Sequence, residues 1–390
     1  MRKATMNAGW PVVAIGAITK PAERPETPIP GTRYRQIGVR LWGVGAYERK
    51  PVDGGETMYR VLYRVDKDDI IVNKIWARNG SVAVVPAELA GCYASGEFPI
   101  FTADRNRLEP RWFHWITKTK FFWQQCDEKS HGTSGKNRIR PERFLEIEIP
   151  LPLLEEQRRI VARIEELAAK VEAARALRQE ATAAVESLVV SVHMEFSASR
   201  VVRFGDILVL DEIKVDVLPG RQYPQVGIKS FGQGLFAKEA VDASQTGYRF
   251  FHHLYEGAVV LSQVKGWEGA VAVCDSDLAG LYVSPEYRTF RCIPGMVLPE
   301  YLAQLVVTSW FYSRLANATR GVGARRQRTR PELFLELRMP MPVIEQQQRA
   351  IPIFDSARII RQHQATTAAA LDALLPSILD KAFRGELQKE

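Results

Sequence analysis

The chain has 390 residues, 46% hydrophobic and 25% charged, a balance that excludes wholesale disorder, a collagen-like repeat and an integral membrane protein. Lys and Arg number 53 against 45 Asp and Glu, a net charge of +8, which admits a nucleic-acid partner without requiring one. No run of 18 apolar residues exists to cross a bilayer, and Cys92, Cys126, Cys274 and Cys292 form no CxxC pair; this argues against a disulfide scaffold or a zinc finger and for a cytoplasmic location.

At the N-terminus, Arg2 and Lys3 precede an apolar run from Ala8 to Ile18 with the outline of a short signal peptide. Pro11 interrupts it, and no good cleavage site follows. The run Val12-Val13-Ala14-Ile15-Gly16-Ala17-Ile18 also recurs as Val201-Val202-Arg203-Phe204-Gly205-Asp206-Ile207. A segment that recurs mid-chain is structure rather than an address.

Further along, Ile70-Ile71-Val72 and Val82-Ala83-Val84-Val85 are short β-branched runs around Asn79-Gly80, the pattern of paired strands. Pro110–Gln125 has helical character. From Glu155 to about Phe196 there is no Pro or Gly. Ile160, Ile164, Leu167, Val171, Ala174, Ala181, Val185, Leu188 and Val192 there make a stripe of alternating three and four, interrupted at Arg178. That period predicts a long coiled-coil helix.

The second half repeats the first. At an offset of 189, Val82-Ala83-Val84, Leu89-Ala90-Gly91 and Tyr93 fall on Val271-Ala272-Val273, Leu278-Ala279-Gly280 and Tyr282; residues 82–101 hold 10 identities in 20. At an offset of 190, Arg140-Pro141-Glu142, Phe144-Leu145-Glu146, Pro150, Pro152 and Gln157 meet Arg330-Pro331-Glu332, Phe334-Leu335-Glu336, Pro340, Pro342 and Gln347. A fixed-period repeat means duplicated structure. The second copy predicts strands at Ala258–Leu261 and Val271–Val273, and a helix at Pro299–Ala316. Its tail carries an apolar pattern from Phe354 to Phe383, in which Pro352 and Pro376 should end or kink the helix.

The organisation expected is α/β (α+β): a module over 1–150, a long helix over 151–197, a second module over 198–341 and a second long helix over 342–390. The stripe of the first rod needs a partner. Pairing it with the second rod makes the two antiparallel, with the modules related by an approximate two-fold.

Charge points to the modules. Residues 1–150 carry 24 basic and 17 acidic side chains and residues 198–341 carry 17 and 14, whereas the helical tails hold none of the excess. It gathers in two matching loops: Lys136, Arg138, Arg140 and Arg143 in the first, and Arg320, Arg325, Arg326, Arg328 and Arg330 in the second. Gly-rich, Arg-rich loops suit phosphate contacts. The plainer alternative is a solvated loop, or arginines paired with Glu142 and Glu332. A second set lies between paired strands: Lys74, Trp76, Arg78 and Asn79, with Gln263, Lys265, Trp267 and Glu268 in the repeat. Such side chains contact base edges in the major groove; the alternative is an ordinary hairpin with its tryptophans in the core. Arg33, Arg35, Arg40 and Trp42, opposite Lys229 and Phe231, form a weaker set.

No catalytic motif appears. There is no Walker A loop, no GxGxxG, no Asp/Asn-Pro-Pro-aromatic motif and no metal-ligand spacing among the histidines. Glu212-Ile213-Lys214 is too short to signal a nuclease, and His252-His253 has the look of a surface pair. The chain is expected to catalyse nothing.

The chain resembles the specificity subunit of type I restriction–modification enzymes over essentially its whole length. The residues that carry the resemblance are Ile149-Pro150-Leu151-Pro152 with Glu155-Glu156-Gln157 and Ile160, Met339-Pro340-Met341-Pro342 with Glu345-Gln346-Gln347, and Ile378-Leu379-Asp380-Lys381-Ala382-Phe383-Arg384-Gly385-Glu386-Leu387 at the end. The resemblance implies two target recognition domains, each taking one half of a bipartite site in double-stranded DNA. It implies helices that set the spacing and dock two methyltransferase subunits, with restriction subunits joining that core. S-adenosylmethionine, ATP and Mg2+ would belong to those partners and no cofactor to this chain. Val161, Val189, Val190, Leu375 and Leu379 lie off or beside the helical stripes and are the expected docking residues. Two other readings share these features: a specificity component of another defence or modification system, separable by its purified partners, and a pseudo-symmetric scaffold with no DNA role, separable by a gel shift.

Overall fold

The computed structural model describes residues 9–130, 137–198, 200–319 (backbone only for 317–319) and 328–387. The chain forms two compact units, residues 1–175 with 369–390, and residues 176–368. Each unit is a mixed module together with one half of each long helix.

In the first unit a four-stranded antiparallel sheet runs in the order Thr19–Pro21, Ile100–Ala103, Ile70–Val72, Val82–Val84. A five-stranded sheet runs Pro25–Glu26, Leu62–Arg64, Tyr93–Ala94, Arg33–Arg40, Gly45–Asp53, with one parallel pairing at Gln36 and Tyr93. Val12–Ala14 pairs with Glu148–Pro150, so the module's first and last strands close on each other. The second unit repeats every pairing. Its four-stranded sheet runs Leu208–Leu210, Tyr287–Cys292, Val259–Ser262, Val271–Val273. Its five-stranded sheet runs Ile213–Asp216, Phe250–His253, Tyr282–Val283, Tyr223–Ile228, Leu235–Val241. Val201–Arg203 closes on Arg338–Pro340. The recurrence at residues 12–18 and 201–207 is therefore this closing strand and the short turn after it.

The strands come where the β-branched runs predicted them. The two helical stretches are each broken in two, Pro110–Ile116 and Lys120–Glu128, then Pro299–Leu305 and Ser309–Thr319. Threonine hydroxyls make the break. Thr119 Oγ1 donates to the Ile116 carbonyl at 2.7 Å and Thr308 Oγ1 to the Leu305 carbonyl at 2.7 Å, capturing acceptors at the helix ends.

The long helices span Leu154–Ser197 and Ile344–Phe383. The second continues through Pro352 and Pro376 without ending at either. Each proline removes one N–H, and the carbonyls freed, on Gln348 and Asp372, belong to exposed residues where water satisfies them. Apolar burial on either side holds the register: Ala350, Phe354 and Ala357 lie in the core of the second unit, and Leu379, Ala382 and Phe383 in that of the first.

The heptad stripe is buried only toward its ends. Ile160, Ile164 and Val171 are covered in the first unit, and Val185 and Val192 in the second, whereas no residue from 172 to 184 is buried. There the antiparallel contact is polar: Arg175 to Asp372 at 3.3 Å in the first unit, Arg178 to Thr367 at 3.2 Å and Thr182 to Gln364 at 2.8 Å in the second. Exposed pairs of this kind contribute about 0–1 kcal/mol, whereas each buried aliphatic contributes about 1.5–3 kcal/mol. The helices are therefore held mainly by the modules at their ends.

One residue type locks each junction. Gln157 is fully buried. Its Oε1 accepts from the Glu109 N–H at 2.9 Å, and its Nε2 donates to the Arg107 and Pro152 carbonyls, both at 2.8 Å. Gln347 does the same in the second unit, accepting from the Leu298 N–H at 2.8 Å and donating to the Met296 and Pro342 carbonyls at 3.1 and 2.8 Å.

Candidate nucleic-acid interface

In each unit a 3-10 turn follows a strand of the four-stranded sheet: Ala77–Asn79 in the first, Gly266–Glu268 in the second. Each ends on a glycine in the left-handed region, Gly80 and Gly269, both at φ 74°. A side chain at either would strike Trp123 or Tyr312, so the ring behind the turn demands glycine. At the two outward slots of the turn the first unit places Trp76 and Arg78 and the second places Lys265 and Trp267. One aromatic and one cation occupy the same pair of positions in exchanged order. Trp76 and Trp267 are 44% and 47% exposed, outside the core that the plainer reading assigned them.

Lys74 and Gln263 sit where three segments meet. The Lys74 carbonyl accepts from the Ile139 N–H at 2.9 Å and its N–H donates to the Glu97 carbonyl at 3.1 Å; for Gln263 the partners are Thr329 at 2.8 Å and Glu286 at 3.0 Å. The arginine loop is thereby drawn against the turn. Arg138 pairs with Glu97 at 3.3 Å and Arg328 with Glu286 at 3.2 Å. These partners, rather than Glu142 and Glu332, come from turns between strands, because the backbone bonds bring each glutamate beside its arginine. Arg140 and Arg330 are exposed, at the N-caps of Pro141–Leu145 and Pro331–Leu335, with no carboxylate partner among the described residues. Lys136, Arg320, Arg325 and Arg326 lie outside the described residues.

The weaker aromatic set joins the same surface. In the hairpin Arg33–Arg40 to Gly45–Asp53 the Arg40 guanidinium lies 4.8 Å over the Tyr47 ring; Lys229 lies 5.4 Å over Phe236 in the repeat. Gly38 and Gly227 admit those rings, since a Cβ would come within 2.8 and 2.5 Å of them. The tips are pinned to the 3-10 turns, the Trp42 N–H donating to the Asn79 carbonyl at 2.6 Å and the Phe231 N–H to that of Glu268 at 2.8 Å. Arg35, by contrast, is taken up by Glu48 at 2.8 Å.

The other groups flagged by the sequence belong to structure. Glu212 pairs with Arg288 and lies 3.8 Å from His252. His252 is buried rather than a surface residue, with Nδ1 3.0 Å from the Tyr287 carbonyl oxygen; burial first, with Arg288 and Lys214 adding to it, lowers its pKa. Lys214 covers the Phe250 ring. Val161, Val189 and Leu379 are buried in the cores of their own units, because the short helices of each module close over them; Val190 and Leu375 are half-buried. These five offer a partner little surface. The large exposed apolar side chains of the long helices are Leu374 in the first unit and Leu177, Leu188, Met194, Ile359 and Ile360 in the second.

Residues 9–183 match the family model of the type I restriction modification DNA specificity domain. Over that segment the chain resembles the specificity subunits of type I restriction–modification systems. The internal repeat carries the same architecture through the rest of the chain. Two solved structures share the fold. One is the HsdS subunit from Thermoanaerobacter tengcongensis, with 24% identity, a TM-score of 0.53, and 97% of this chain and 98% of that one covered. The other, from a study of complex assembly and conformational transition of the type I R-M system, has 22% identity, a TM-score of 0.67, and 97% and 99% covered. Comparison with curated protein sequences finds no match. The family is a DNA-specificity component, non-catalytic and without a catalytic cofactor. Among the described residues no helix is long and apolar enough to cross a membrane.

Proposed function

We propose that each unit contacts one half of a bipartite site in double-stranded DNA through the face formed by the 3-10 turn, the hairpin tip and the arginine loop. The observation that carries this is the transposed pair, Trp76 and Arg78 against Lys265 and Trp267, set in a frame whose bonds from the turn to the hairpin tip and to the arginine loop are repeated. A shared frame with different outward groups is what two recognition modules for two different half-sites require. Arg140 and Arg330, and with them the loop residues 136, 320, 325 and 326, meet phosphates. Lys74, Asn79 and Gln263 face base edges.

In this reading residues 1–150 and 198–341 are the two recognition domains, and 151–197 and 342–390 the spacer helices. The helices dock two methyltransferase subunits through the exposed Leu177, Leu188, Ile359, Ile360 and Leu374, and restriction subunits join them. S-adenosylmethionine, ATP and Mg2+ are held by those partners, and the assembly works in the cytoplasm. The experiment is an exchange of modules. Replacing residues 200–330 by the equivalent segment of a homologue, then sequencing methylated adenines in DNA exposed to the assembled complex, should change one half of the motif. A change in both halves would overturn independent recognition.

A further inference from the structure

Trp42 and Phe231 occupy equivalent positions at the tips of the two hairpins. Both have a left-handed backbone, at φ 58° and 57°. That region is open to glycine and costly for a bulky side chain, and such strain persists only where surrounding contacts impose it. Both rings are nonetheless 55% and 58% exposed. The contacts that impose the geometry are also duplicated. The backbone N–H of each is pinned to the 3-10 turn, and each ring meets another edge-on, Trp42 on Trp123 at 5.6 Å and Phe231 on Tyr312 at 6.1 Å. The following residue is glycine in both tips. A Cβ at Gly43 would come within 2.8 Å of the Lys118 backbone, and one at Gly232 within 2.3 Å of the Val307 carbonyl oxygen.

We propose that Trp42 and Phe231 are wedges, one per unit, that enter the stack of a DNA duplex and unstack the base step they meet. The inference rests on the DNA-contacting face proposed above and adds a distortion of the DNA to it. Phe231 carries no hydrogen-bonding group, so what the two tips share is a flat apolar ring held out from the surface, not a means of reading base edges. Apolar side chains inserted between base steps are a known way for proteins to kink a duplex. The neighbours favour a polyanion over a protein partner: Arg40 and Lys118 flank the first tip, with Lys118 Nζ 2.8 Å from the Gly43 carbonyl, and Lys229 stands beside the second, where the Glu268 carboxylate is taken up by Ser230 Oγ at 2.6 Å.

The test uses the full chain co-expressed with its methyltransferase subunit, on a duplex carrying the methylated motif. 2-Aminopurine replaces each adenine in turn, and its fluorescence reports unstacking. Wild-type complex should raise the signal at one step in each half. Trp42→Ala should abolish the rise in one half and Phe231→Ala in the other, each with affinity weakened on the order of tenfold. Trp42→Phe should keep the signal. Trp42→Gly, which relieves the left-handed strain, should lose the signal while its Tm is unchanged or raised, which separates the wedge from a folding defect. A wild-type complex that binds the site with no fluorescence change overturns the wedge and leaves the DNA-contacting face standing. So does an alanine variant that keeps the signal, or one that weakens binding without altering it. Loss of the co-purifying methyltransferase subunit from the Trp42→Ala variant would assign the tip to that partner instead. A wild-type complex that binds no DNA at all defeats the underlying reading as well.

Discussion

The two places where a long helix meets a module show how the units differ. In the first, Phe383 packs on Trp112 at 4.8 Å and on Phe121 at 6.2 Å. In the second, the equivalent His193 lies 4.7 Å from Trp310 and shares a 2.6 Å hydrogen bond with the Tyr301 hydroxyl. An apolar trio has become a polar one at identical positions. His193 Nδ1 and the Tyr301 hydroxyl face each other, so that neither is buried without a partner, whereas His193 Nε2 is buried with none among the described residues. Strand register and most of the backbone bonds are common to both units. Side-chain chemistry varies around that frame, at the helix junctions and at the outward slots of the 3-10 turns alike.

The strongest way to break this equivalence is to attack the shared frame. Gln157→Ala and Gln347→Ala each leave one buried N–H and two carbonyls without their partner. Each should cost about 2–3 kcal/mol in urea unfolding, with the two losses alike. A loss below about 0.5 kcal/mol at either site, the range of an ordinary surface change, would show that the amide does not hold the junction.

That lock also marks what the sequence did and did not disclose. Gln157 and Gln347 are visible as a matched pair in the repeat, yet nothing in their spacing says that one amide spans three backbone groups. The duplication, the paired strands and the long helices were legible because each rests on periodicity or identity. The polar middle of the helices was legible at Arg178 and at Gln362–Thr367. The continuity of the second helix through Pro352 and Pro376 was not, since it depends on burial at both ends by residues of different units. Val161, Val189 and Leu379 read as docking residues in the sequence because a heptad count cannot see a module folding over the helix flank. Trp42 and Phe231 looked weak because a left-handed backbone leaves no trace in composition.

A second effect distinguishes the two helix junctions by pH. Burial, with Arg314 adding to it, lowers the His193 pKa to about 4, against about 6.5 in an unfolded chain. The unfolded state therefore takes up a proton that the folded state refuses, and stability falls as pH drops from about 6.5 toward 4, by about 1.4 kcal/mol per pH unit. His114 in the first unit, lowered to about 3 by burial and then by Lys118 and Arg111, imposes the same slope there. The double variant His193→Phe, Tyr301→Trp rebuilds the first unit's junction in the second. It should reduce the acid dependence of hydrogen exchange in residues 176–368 to the part that the buried His252 still carries, and leave that of the first unit as it was. An unchanged slope in the second unit would mean that His193 is already protonated in the folded protein.

The smallest expected effect separates two arginines only two residues apart. Arg330 is exposed and unpaired among the described residues, whereas Arg328 is engaged with Glu286. Neither guanidinium caps a helix, so alanine at either site should leave the fold intact. If Arg330 neutralises a phosphate, Arg330→Ala should weaken binding to every sequence alike and lower the slope of log affinity against log salt by about one. Arg328→Ala should lower it by less, because the wild-type charge is already partly balanced by the glutamate. The pair Arg140 and Arg138 should show the same ordering against Glu97. Measuring both slopes on specific and unrelated duplexes decides the matter. Equal slopes for Arg328→Ala and Arg330→Ala would mean that DNA displaces Glu286 and takes both arginines. Loss of affinity for one sequence only, at an unchanged slope, would make Arg330 a base-reading residue rather than a phosphate contact.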